Sequence, residues 1–177
     1  MPPRSLQPLP SLPAVPGRRV AVRRVALAAL AAALAELPDA SGAALPAVSG
    51  ERTMRTLTAF CDTLVPADEL TPAASALGIP QSLFAGMLGN ALAERLLSAG
   101  CAWLDAAAAG DFAAAPEAAR VDACERMQSM PWESPPGRFF ALLRNTVMAD
   151  YYADPRAWKG LALDRPPQPL GFFAALR

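Results

Sequence analysis

The residues whose spacing could carry chemistry in this chain are carboxylates and thiols, and its 177 residues include no histidine. That absence removes the commonest general base near neutral pH, the commonest metal ligand and the usual partner of a serine or cysteine nucleophile. Asp62, Asp68 and Glu69 stand close together, and neighbouring carboxylates can acquire different pKa values suited to acid–base work. The sequence offers them no complementary acid, nucleophile or oxyanion donor, so capping and loop hydrogen bonds are the better use of these groups. Cys61, Cys101 and Cys124 lie too far apart for CxxC or zinc-ribbon spacing. An odd count allows at most one disulfide plus a free thiol. Buried structural cysteines are the simpler reading, and one bridge in an oxidising compartment is the other. With no GxGxxG, phosphate loop or CxxCH motif, neither dinucleotide binding nor haem attachment is indicated.

The elements that must position these residues are helical. From Glu51, the residues Met54, Leu57, Cys61 and Leu64 recur at three and four, with Phe60 widening the stripe until Pro66 stops it. The following segment, Pro66 to Gly78, carries Asp68, Thr71, Pro72 and Ser75, and predicts an ordered loop or short helical turn. Pro80 suits the start of a second helix whose buried face runs through Leu83, Met87, Leu92 and Leu96 to Trp103. Gly86, Gly89 and Gly100 weaken it, each by up to about 1 kcal/mol relative to alanine. Pro116 begins a shorter helix with Val121, Cys124 and Met127 turned inward, and Pro131 to Pro136 form a rigid connector. The last helix is predicted from about Gly137 to Tyr152, with Phe140, Leu143, Val147 and Tyr151 on one stripe and Arg138, Arg144 and Asn145 outward. No stretch alternates as strands do. The fold class is therefore all-α: a single small domain of about four main helices with an irregular C-terminal tail rich in proline and aromatic residues.

The N-terminus reads as an address. Two arginine pairs, Arg18-Arg19 and Arg23-Arg24, precede the apolar run Val25 to Ala35, which Glu36 and Pro38 close. The run suits the core of a signal peptide and is well short of the roughly twenty residues that span a bilayer. Small residues at Ser41-Gly42-Ala43 offer a cleavage point. Arg23-Arg24-Val25-Ala26-Leu27 partly fits the twin-arginine pattern, which addresses proteins that cross the membrane already folded. Residues 1–45 are accordingly expected to be an export segment and 51–177 the helical domain. Lysine plus arginine balances aspartate plus glutamate at 16 each, so the net charge calls for neither nucleic acid nor an anionic membrane. An aromatic C-terminal set, Tyr151, Tyr152, Trp158, Phe172 and Phe173, exceeds what one small core needs and suits contact with a protein partner.

Two blocks carry a resemblance. Asp62-Thr63-Leu64-Val65-Pro66 with Asp68, Thr71-Pro72 and Gly78 forms the first, and Phe139-Phe140 with Tyr151-Tyr152-Ala153-Asp154-Pro155 the second. Over most of residues 54 to 172 the chain resembles the small subunit (subunit 3) family of gluconate 2-dehydrogenase and related membrane-bound sugar dehydrogenases. It departs from that pattern at Ala73, at Ala149-Asp150 and at Ala157-Trp158-Lys159-Gly160. The resemblance implies a non-catalytic subunit that binds, stabilises and co-exports a large FAD-containing dehydrogenase of the glucose-methanol-choline type. It also implies a periplasmic complex held at the inner membrane through partner subunits, often with a multihaem cytochrome c as the third. On this reading the chain holds no cofactor: FAD sits in the large subunit and haem c in the cytochrome. The residues expected at the partner interface are Asp62, Pro66, Asp68, Thr71, Pro72, Tyr151, Tyr152, Asp154, Pro155, Trp158 and Phe172. Two other readings stay open: an exported helical enzyme using Asp62 and Asp68, and a binding module for an unrelated protein.

Overall fold

The computed structural model describes residues 50–161; the expected export segment, Phe172 and the rest of the tail lie outside them. Among the described residues there are five α-helices and no strands: α1 (Gly50–Leu64), α2 (Ile79–Met87), α3 (Ala91–Ala107), α4 (Glu117–Gln128) and α5 (Pro135–Tyr152). Short 3-10 turns at Ser75–Leu77 and Pro155–Leu161 complete the domain.

The core forms where α1 and α5 bring their aromatic rings together. Phe60 of α1 lies 5.3 Å from the Phe139 ring and 5.9 Å, edge-on, from the Phe140 ring, separations at which ring pairs attract beyond simple burial. Leu57, Leu96, Leu97, Leu104, Phe112, Met127, Leu143 and Val147 surround them, all sealed from solvent. Removing each such side chain from water contributes about 1.5–3 kcal/mol. Gly100 makes the approach possible, because a Cβ there would run into the Phe139 ring. A residue that weakens α3 as an isolated helix thus lets α5 lie close against it.

The single long second helix predicted from Pro80 to Trp103 is in fact two. Leu88 is extended and Gly89 adopts φ +83°, a left-handed conformation that glycine takes without steric cost. Asn90 then caps α3, its side-chain oxygen accepting from the backbone N–H groups of Leu92 and Ala93 at 3.1 Å. Glu94 reaches back to accept from the Gly89 N–H at 2.7 Å. Together these contacts hold a corner where hydrophobic periodicity alone runs straight through.

Two further expectations are corrected. Val121 is exposed rather than turned inward, so α4 buries only Ala123, Cys124 and Met127. Arg138, expected outside, is 4% exposed. The Pro131–Pro136 connector folds back over it, placing the guanidinium 5.4 Å from the centre of the Trp132 ring, within cation–π range. Ser134 fixes this reversal by donating to the Pro131 carbonyl at 2.7 Å and accepting from the Gly137 N–H at 3.2 Å.

Candidate partner-binding surface

The loop after α1 is built by its own carboxylates. Asp62, in the last turn of α1, accepts from the Ser75 N–H at 2.8 Å and so pins the start of the following 3-10 turn. Asp68 accepts from the Leu70 and Thr71 N–H groups at 2.7 and 2.6 Å. Its own N–H donates to the Thr71 carbonyl at 3.0 Å, and the Ala74 N–H donates to the Val65 carbonyl at 3.1 Å. This is the ordered loop that its proline, aspartate and threonine content predicts. The two donated N–H groups hold the Asp68 carboxyl below the usual aspartate range, since they stabilise the charged form.

The same loop is fastened to the far end of the chain. The Tyr151 hydroxyl donates to the Pro72 carbonyl at 2.9 Å. Gly160 faces Thr71 so closely that a Cβ there would stand 3.0 Å from the Thr71 methyl group. Trp158 donates from its indole N–H to the Tyr152 carbonyl at 2.8 Å, and the two tyrosine rings meet edge-on at 5.3 Å. Asp154 pairs with Arg156 at 2.9 Å, closing the turn that follows α5.

Of the residues expected at an interface, this arrangement gathers Pro66, Asp68, Thr71, Pro72, Tyr152, Asp154, Pro155 and Trp158 at one end of the domain. Tyr151 is 3% exposed and belongs to the core, where it joins the loop to α5. Asp62 is partly buried and committed to Ser75. Leu70 and Leu161, which no sequence signal singled out, adjoin Thr71 and Gly160 in sequence and are 61% and 52% exposed, and Tyr152 is 49% exposed.

A second polar cluster escaped the sequence altogether. Asp105 of α3, only 8% exposed, receives the Arg52 Nε at 2.8 Å, the Thr56 hydroxyl at 3.1 Å and the Phe112 N–H at 3.1 Å. Arg52 also donates to the Gly110 carbonyl. Asp105 raises the pKa of Arg52 by hydrogen bonding and charge attraction, so the guanidinium is a permanent cation bracing the α3–α4 loop. The available signal was faint: Arg52 and Thr56 stand four apart on α1, and Asp105 follows the buried positions Cys101 and Leu104.

All three cysteines are free and buried, as the simpler reading expects. Burial pushes the Cys61 thiol far up, and pushes Cys101 and Cys124 up to about 12. Each therefore stays a neutral, weakly nucleophilic thiol near pH 7. Among the described residues, no group of three or more histidine, cysteine, aspartate or glutamate side chains is placed to hold a metal ion. Nor is any helix among them long and apolar enough to cross a membrane.

These features define a class: a small all-α domain whose carboxylates are committed to shaping their own loop while apolar side chains stand exposed around it. The chain belongs to the gluconate 2-dehydrogenase subunit 3 family, whose model matches residues 51–163, more than half of its length, and it is by that membership a subunit of a dehydrogenase complex. No curated protein and no solved structure matches it.

Proposed function

We propose that this chain is the non-catalytic small subunit that binds, stabilises and co-exports a large FAD-dependent dehydrogenase of the glucose-methanol-choline type. The observation that carries the reading is family membership across the whole described domain. The use made of Asp62 and Asp68 supports it. The carboxylates first considered for acid–base work each accept backbone N–H groups, and their geometry makes a loop rather than a reaction centre. The paired arginines and apolar run before residue 45 give the complex its export signal, and the folded flavoprotein crosses to the periplasm with this chain. FAD resides in the large subunit, and a cytochrome c subunit, with its haem, passes electrons onward at the inner membrane.

The test is to express the large subunit with and without this chain and to measure FAD-dependent sugar oxidation in the periplasmic fraction. Activity should reach the periplasm only when both are present. Full periplasmic activity from the large subunit alone would overturn the reading.

A further inference from the structure

One face of α4 carries polar side chains that the core does not use. Asp122, Glu125, Arg126 and, at the helix end, Ser129 stand at i, i+3, i+4 and i+7, which sets them on a single stripe. That stripe runs beside the buried one of Ala123, Cys124 and Met127. Together with Trp103 of α3 and Met130, it lines a cleft of about 460 Å³, within the range of about 300–1,000 Å³ that small-molecule sites occupy. Trp103 packs in part against the core, so the indole that lines the cleft is fixed from behind.

The polar groups are held in place as well. Arg126 pairs through Nε with Asp122 at 3.0 Å and donates to the Ala107 carbonyl, at the end of α3, at 3.1 Å. A guanidinium has five N–H donors, so some are left for a ligand. The Ser129 hydroxyl donates to the Glu125 carbonyl at 3.0 Å and keeps its lone pairs for accepting. The Glu125 carboxylate is exposed and, when ionised, accepts only.

This lining selects by charge. A carboxylate or phosphate in the cleft meets Asp122 and Glu125, an ammonium meets Arg126, and like charges at such range repel. A neutral ligand escapes both. Hydroxyl groups donate and accept, so a polyol satisfies the carboxylates and the guanidinium together. The negative face of an indole attracts the C–H face of a saturated ring. A cyclic monosaccharide offers both features.

We infer that the cleft between α3 and α4 binds a neutral sugar in its ring form, the ring face on Trp103, its hydroxyls donating to Glu125 and Asp122 and accepting from Arg126. This goes beyond the co-export reading and does not depend on it.

The experiment is titration of the purified full-length chain with glucose, followed by tryptophan emission, beside gluconate as the carboxylate counterpart and glucosamine as the amine. A small ligand in an open cleft gives a dissociation constant of about a millimolar, and each charged analogue should bind about fivefold or more weakly. Glu125→Ala should weaken glucose about tenfold, the worth of one hydrogen bond to a charged group. Glu117→Ala, which removes the same charge from an exposed position about 12 Å along α4, should not. Trp132→Phe should keep the signal, because Trp103 is the reporter. Absence of a saturable response to glucose through the millimolar range would overturn the inference, as would tighter binding of either charged analogue. Unchanged binding in Glu125→Ala, or loss of the signal in Trp132→Phe, would place the ligand elsewhere and overturn it too. None of these outcomes bears on the proposed function, which the co-expression test decides separately.

Discussion

The Tyr151 hydroxyl donates to the Pro72 carbonyl at 2.9 Å across 79 residues of sequence, joining the loop after α1 to the end of α5. Tyr151→Phe removes the donor and keeps the ring, so the Pro72 carbonyl loses its partner. The expected loss is about 1 kcal/mol of unfolding free energy, read as a lower urea midpoint with unchanged slope. Limited proteolysis should show faster cutting between residues 66 and 74 in the variant. Equal midpoints would mean that the hydroxyl does nothing for the fold.

Asp105 has the larger stake because its partners are buried. Asp105→Ala leaves the Thr56 hydroxyl and the Phe112 N–H without an acceptor, at about 1–3 kcal/mol for each such group. The Arg52 contact adds little, since that side chain is 54% exposed and solvent screens the pair. A total of about 2–6 kcal/mol is expected by denaturant titration. Asp105→Asn keeps one acceptor oxygen and should lose less; an order of Asn below Ala would contradict this account of the cluster.

Gly100→Ala sets two effects against each other. Alanine favours a helix interior by up to about 1 kcal/mol, but its Cβ would collide with the Phe139 ring, and overpacking a tight core costs about 1–3 kcal/mol. Steric cost should win, lowering the melting temperature. Combining it with Phe139→Leu should recover part of the loss, which a purely local helix effect would not.

The Asp68 loop should loosen in acid. Because the Leu70 and Thr71 N–H groups depress the folded-state pKa of Asp68, its contribution is present above the unfolded value and disappears as pH falls through the lower folded value. Hydrogen exchange at Leu70 and Thr71 should therefore accelerate relative to the core only below about pH 4. In Asp68→Asn that acid-dependent step should vanish. A loop whose relative protection does not change with pH would show that the carboxylate does not hold it.

How far the sequence could be read depended on the range of the forces involved. α1, α4 and α5, the ordered loop and the all-helical class follow from local periodicity and turn chemistry, which act within a few residues. The corner at Gly89-Asn90 was harder, because glycine within an apolar periodic run is tolerated in a helix as well as used to break one. Asp105 and Arg138 were out of reach for a different reason. Asp105 meets residues 49 and 53 positions away, and Arg138 is covered by a connector whose reversal depends on Ser134 and Gly137. A polar residue carries no mark in the sequence of a partner that only the tertiary fold supplies. Of the residues expected at an interface, eight come together at one end of the domain because turn chemistry places them in its two loops, while the exposed Leu70 and Leu161 in those same loops gave no local signal.

The central claim is that this chain grips a flavoprotein. Its most direct test is an absorption spectrum of what elutes with the tagged full-length chain from cells that also express the large subunit. The account predicts a yellow complex with stoichiometric FAD that oxidises a sugar. A colourless, monomeric eluate from cells in which the large subunit is folded and active would contradict it.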